Sequence, residues 1–280
     1  MKLGIVVFPI DQSMDVSELG AAVEQMGFES LWFPDHSHIP TSRKTANPNG
    51  GELPEMYRRL LDPFLALMAV ASATSSLRIG TGICLAMQRD PIALAKEVAT
   101  LDFLSGGRLE FGVGAGWNEE EMENHGTRFS LRWRILAERV LAMREIWEKD
   151  AAEFHGTYVN FDPIWSWPKP VQRPCPPVLV GGNGPKAIDG LFAYGDHWMP
   201  GAAMGPSGLA ARMGEIQERA ESMGRPGYPV TVYAAPANAH ALSEYQRLGV
   251  ERCILWLPSL HSIELRRRLK VLAPLVNEFQ

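Results

Sequence analysis

The sequence predicts an α/β fold: a (β/α)8 TIM barrel with an extra segment near its C-terminal mouth. Three observations lead there. Short apolar runs and amphipathic stretches alternate eight times along the chain. The apolar runs are continuous, as strands covered on both faces must be. The length, 280 residues, suits one barrel of eight such units. An open doubly wound sheet is the alternative arrangement of the same units. The chain reads as a single domain, 1–280, with an insertion at 151–177.

The elements follow in order. Leu3 to Phe8 is the first apolar run. Asp15 and Glu18 open the next helix as a capping box, Val16, Leu19, Val23 and Met26 share one face, and Gly27 closes it. Ser30 to Phe33 is the second strand. Pro34-Asp35-His36 breaks it, and a loop of about 25 residues runs on to Asp62, a length usually reserved for function or disorder. Asp62-Pro63 starts the second helix as cap and first-turn proline. Arg78 to Cys84 is the third strand, and Asp90-Pro91 starts a helix that Gly106-Gly107 ends. Arg108 to Val113 is the fourth strand. Its corner, Gly112-Val-Gly-Ala-Gly-Trp117, is followed by Asn118 as cap and by Glu119, Glu120 and Glu121, whose charges suit a helix N-terminus.

Trp133, Leu136, Val140, Met143 and Trp147 then form an amphipathic stripe. Residues 151–177 hold six prolines and many aromatics without helical period, an excursion from the barrel and not a linker. Val178 to Val180, His197 to Met199, Val230 to Ala234 and Cys253 to Leu257 complete the eight strands, each with a helix after it.

Composition narrows the function. A net charge of -5 gives no footing for nucleic acid or an anionic membrane surface. Three widely spaced cysteines form no metal motif and fit a reducing, cytoplasmic setting. No apolar run approaches the ~20 residues of a membrane span, and Met1-Lys2-Leu3 is expected to enter a strand at once, so no signal peptide is visible. No cluster has metal-ligand spacing, no lysine-serine pair marks a nucleotide triphosphatase, and Trp117 replaces the third glycine of a dinucleotide fingerprint.

A barrel gathers the strand ends at one mouth, and with them the candidate site. Gly181-Gly182-Asn183-Gly184 leaves backbone N–H groups for an anion ahead of Pro185, with a plain tight turn as the alternative. Trp117 offers a flat indole for a flat ligand, or packs on its turn. His36 is the candidate acid, base or ring contact. Arg89 and Lys186 are candidate cations for a polyanionic ligand, or solvated charges.

Several stretches together resemble the luciferase-like monooxygenase superfamily, in particular its deazaflavin (coenzyme F420) branch. They are Gly27 to Trp32 into Asp35-His36, Arg78 to Ile83, Pro91 to Asp102, Gly106 to Leu109, Gly112 to Trp117, Pro177 to Gly184 and Asp196 to Trp198. The resemblance implies an oxidoreductase that moves a hydride between F420 and an organic small-molecule substrate, with the cofactor lying across the mouth. It implies a non-prolyl cis peptide behind the ring, aligned with Thr81-Gly82, and an active-site histidine, His36. It implies cofactor contacts from Gly114, Gly116 and Trp117, and a phosphate on the backbone of Gly181, Gly182, Asn183 and Gly184. Residues 37–61 and 151–177 are expected to shape the substrate pocket. Helix-mediated homodimers and a flavin or F420 reductase partner also belong to that expectation. A glutamate that sugar-phosphate dehydrogenases of the family carry in the glycine corner is replaced here by Trp117. Two rival functions share the scaffold: an FMN-dependent monooxygenase fed by a reductase, and a non-catalytic flavin carrier.

Overall fold

The computed structural model describes residues 1–48 and 50–279. Eight parallel strands form one sheet: β1 (Lys2–Val7), β2 (Ser30–Phe33), β3 (Arg78–Thr81), β4 (Leu109–Val113), then, past a two-stranded hairpin β5 (Ala151–His155) and β6 (Asn160–Trp165), β7 (Val178–Gly181), β8 (His197–Met199), β9 (Thr231–Ala235) and β10 (Arg252–Leu257). Their order is β8-β7-β4-β3-β2-β1-β10-β9, and isolated parallel bridges, Trp198 to Val230 and Gly201 to Tyr233, join the two ends into a barrel.

The helices are α1 (Val16–Gln25), α2 (Pro63–Ala73), α3 (Pro91–Leu104), α4 (Glu119–Asn124), α5 (Arg132–Glu148), α6 (Pro185–Tyr194), α7 (Gly205–Ser222), α8 (Ala239–Arg247) and α9 (Ser262–Phe279). Aspartates cap three of them: Asp15, Asp62 and Asp90 each accept from two first-turn amides. The expected capping box at α1 is only half made. Asp15 caps, but the Glu18 carboxylate turns away to Arg266 on α9, 2.7 Å away.

The pleat sorts the side chains into two cores. Val6, Trp32, Leu179, Met199 and Ile254 fill the barrel, while the larger core lies between strands and helices. Trp32 occupies so much of the interior that Gly80 beside it must lack a side chain: a Cβ there would meet the indole at 2.4 Å.

Two expectations are corrected. The paired part of the third strand stops at Thr81, and the non-prolyl cis peptide joins Gly82 to Ile83, one bond beyond Thr81-Gly82; Cys84 regains β4 through a single bridge to Val113. The insertion 151–177 forms a hairpin, but none of its residues lines the cavity at the mouth, so it does not shape the pocket as expected. Amides of residues 157–159 donate to Glu138 on the outside of α5. The return segment donates from Val171 and Gln172 to Asp102 and from Gln172 Nε2 to the Leu109 carbonyl, at the start of β4. Barrel helices run opposite to the strands. A segment inserted after α5 and before β7 therefore leaves and rejoins the barrel at the strands' N-terminal ends, and its tip lies back along the outside of α5.

Candidate active site

The ends of β2, β3, β4, β7, β8 and β9 surround a cavity of about 340 Å³. Its walls are built outward from Asp35. Pro34 ends β2, and the buried Asp35 carboxylate accepts from the Leu85 amide (3.0 Å) and from Arg89 (2.9 Å), tying the β2 loop to the β3 loop. Arg89 also reaches Asp62 (2.9 Å) and lies 5.1 Å from the centre of the Phe64 ring. Burial opposes its charge, but Asp35 overrides this and holds the guanidinium above the ordinary arginine value. Arg89 is therefore occupied by structure, and the expectation that it receives a polyanionic ligand is withdrawn.

This clamp sets His36 at the cavity wall. Its Nδ1 lies 2.7 Å from Glu121 Oε2, and the Glu121 side chain is wholly buried. A carboxylate can only accept, so Nδ1 carries the hydrogen and Nε2 is the free nitrogen. No protein partner is recorded for Nε2 among the described residues. The second Glu121 oxygen is buried without a partner. Sequence reasoning gave Glu121 only a helix-terminal role. The available signal was the rotation of α4: three consecutive glutamates turn by about 100° each, so they cannot all face solvent.

Two aromatic rings close on His36, and a third backs them. Tyr57, from the 37–61 loop, lies 5.5 Å from it and Trp117 lies 5.7 Å from it, both edge-on. Phe8 meets Tyr57 at 5.1 Å. Tyr57, Phe8, Tyr233, Met199 and Trp133 all line the cavity; Tyr57 comes from the 37–61 loop expected to shape the pocket, and the other four were not expected there. Burial raises the Tyr57 and Tyr233 phenols above their ordinary value, so both remain neutral near pH 7.

The opposite wall is Ile83, which follows the cis bond. It nests between two glycines: a Cβ on Gly114 would stand 2.9 Å from it, and one on Gly181 2.7 Å. Gly82, Gly116, Trp117 and Gly182 also line the space. Thr81 does not; it is buried, and its hydroxyl donates to the Gly112 carbonyl at 2.7 Å.

The phosphate turn differs in detail from expectation. Gly182 has φ 130°, and its amide donates to the Met199 carbonyl at 3.2 Å. The open amides are those of Asn183 and Gly184, ahead of Pro185, for which no protein acceptor is recorded among the described residues. The Asn183 side chain staples the next loop, accepting from the Gly201 amide at 2.8 Å. Beyond Trp133 lies a second groove of about 450 Å³ that carries Arg134 and the exposed Lys186.

A slot backed by Ile83, floored by side-chain-free backbone and rimmed by aromatic rings fits a flat tricyclic ring. Two open amides beside it fit a phosphate. Among the described residues no group of three or more His, Cys, Asp or Glu side chains could hold a metal ion. No helix of the described residues is long and apolar enough to cross a membrane.

Comparison with known proteins agrees with this geometry. The family model described as luciferase-like monooxygenase matches residues 10–273, and the chain belongs to that family. An uncharacterised protein of Mycobacterium tuberculosis is 41% identical over 71% of this chain and 72% of its own. An FMNH2-dependent dimethylsulfone monooxygenase of Pseudomonas putida is 31% identical over 56% of this chain and 43% of its own. Among solved structures, an F420-dependent secondary alcohol dehydrogenase in complex with an F420-acetone adduct superposes with a TM-score of 0.78, at 21% identity over 100% of this chain and 99% of that one, a likeness of fold. Flavin- and deazaflavin-dependent oxidoreductases thus share this scaffold.

Proposed function

We propose that this member of the luciferase-like family transfers a hydride between coenzyme F420 and an organic substrate, with a secondary alcohol and its ketone as the reacting pair. The observation that carries the proposal is the His36–Glu121 pair at the mouth. When bound, the deazaflavin supplies the partner that accepts or donates the hydride. The proton half of the reaction falls to this chain. As an alcohol C–H bond gives up its hydride and C=O forms, His36 Nε2 takes the hydroxyl proton; in the reverse direction it returns the proton to the carbonyl oxygen. Glu121 holds Nδ1 and so fixes the ring with Nε2 toward the cavity. An alcohol dehydrogenase on the same fold is the likeness that points to this substrate class.

Ile83, Gly114 and Gly181 would back the ring, with Trp117 and Tyr57 as its rim. The Asn183 and Gly184 amides would hold the phosphate, and Arg134 with Lys186 would meet the further negative charges of the deazaflavin tail. Reduced FMN, with a reductase to supply it, is the second reading. Its single phosphate needs only the two amides, and the dimethylsulfone relative uses that cofactor.

Fluorescence titration with both cofactors at low and high ionic strength decides between them. F420 is expected to bind more tightly than FMN, with an affinity that salt weakens. Charge reversal at Arg134 and Lys186 is expected to weaken F420 more than FMN. Tighter FMN binding under both conditions overturns the F420 assignment. Tight cofactor binding with no turnover on any substrate panel makes the protein a carrier.

A further inference from the structure

The cavity beside His36 does not end at Tyr57. On the far side of that ring lies an outer cavity of about 380 Å³ that shares Phe8, Tyr57 and Tyr233 with the inner one. Met56, Ala234 and Trp256 form its remaining apolar wall. That wall is shaped by an irregularity in the barrel. β9 and β10 pair Tyr233 with Ile254 and then Ala235 with Leu255, which leaves Ala234 out of register at φ 56°. Such a bulge re-aims side chains and parts two strands locally. Next to it Trp256, in register with the inward Val6, stays 44% exposed at the mouth. Its half-open indole continues the apolar wall of the outer cavity formed by Phe8, Met56 and Ala234.

The charges are as informative as the apolar surface. Among the described residues no lysine, arginine or histidine lines the outer cavity, and its one carboxylate is that of Glu52. Arg59, in the adjoining groove that also holds Met56 and Trp256, is bound through Nε and Nη2 by Asp11, 2.7 Å each. A phosphorylated or carboxylated tail would find no cation here and would meet Glu52.

We propose that the outer cavity is the tail subsite of the substrate, and that the substrate is an uncharged, lipophilic secondary alcohol or ketone. Its reacting carbon lies beside His36, and its alkyl or aryl chain passes Tyr57 onto Met56 and Trp256. This rests on the reading of the inner cavity as the hydride-transfer site.

The test separates the two. Calorimetry on protein saturated with F420 or FMN, whichever binds, measures Kd along a ladder of methyl ketones from 2-propanone to 2-decanone. Each methylene that enters the subsite is expected to tighten binding by roughly fourfold, until the cavity is filled and the gain levels off. Trp256→Ala is expected to cut the advantage of the long ketones by about tenfold. A Kd independent of chain length, or tighter binding of phosphorylated or carboxylated analogues, overturns the subsite. The matching alcohols are assayed with F420 in parallel. Graded binding with no oxidation of any alcohol supports the subsite and overturns the hydride-transfer reading. Turnover of 2-propanol with a flat ladder does the reverse.

Discussion

Arg252 at the base of the barrel and His36 at its mouth each face a buried carboxylate. The base is built from permanent charges. Arg252, 1% exposed, holds Glu29 through two hydrogen bonds of 2.8 and 2.7 Å and reaches Glu110 at 3.2 Å, while Arg78 grips Glu110 from the other side at 2.5 Å. Burial alone would raise the Glu29 carboxyl, yet the Arg252 guanidinium overrides it and leaves it below the ordinary glutamate value. At the mouth, Glu121 faces the imidazole of His36, whose other nitrogen looks into the cavity. A guanidinium keeps its proton throughout the working pH range, so the base can only be structural. An imidazole carries one donor and one acceptor nitrogen, so the same kind of pair at the mouth can pass a proton.

The contrast breaks first at the base. Arg252→Ala strands Glu29 and Glu110 without their shared cation and is expected to lower the unfolding free energy by about 3–5 kcal/mol in urea titration. A loss below ~1 kcal/mol would mean the base is not held by these ions. The pH dependence follows from the lowered Glu29 value. The contribution is complete above pH 4.5, the ordinary glutamate value, and is lost as pH falls through the lower folded value. The part of the wild-type acid sensitivity due to Glu29 should therefore be missing from the variant.

At the mouth the expected loss is in rate. His36→Asn retains a donor for Glu121 but no group that titrates, so turnover should drop about 100-fold while the urea midpoint barely moves. Full turnover across the pH range would return His36 to a structural role. A smaller effect is expected at the phosphate turn. Gly182 sits at φ 130° with Ala187 3.1 Å from where a Cβ would be, so Gly182→Val displaces the Asn183 and Gly184 amides. Cofactor affinity should weaken by at least ~10-fold, about 1.4 kcal/mol, in the fluorescence titration. Unchanged affinity in a folded variant would remove the turn from the site. The smallest effect belongs to a surface pair. Lys2, 2.6 Å from Glu251 and half exposed, should cost under ~1 kcal/mol when changed to Ala, because solvent screens that pair. A larger cost would show that the base network extends to the surface.

Much of this was legible in the chain. Continuous apolar runs placed the strands, Asp-Pro steps placed two helix starts, and the glycine corners marked the mouth, because such signals act within a few residues. His36 was legible for the same reason, as a histidine just past a strand end. The Arg89 assignment failed because three partners from distant segments claim its charge. Glu121 was hidden in a run of glutamates whose inward member only packing selects. Tyr57 and Tyr233 are 176 residues apart, and nothing in local composition brings them to one cavity.

The sequence by itself determined the alternation of strands and helices, the family, and the backbone freedom at the corners, since periodicity, capping and glycine are properties of neighbouring residues. Only the tertiary structure decided which charges remain available for chemistry, which end of the barrel receives the hairpin, and which side chains meet at the mouth. Those outcomes depend on closing the barrel, which brings segments distant in sequence within hydrogen-bonding distance and removes the water that would otherwise have satisfied them.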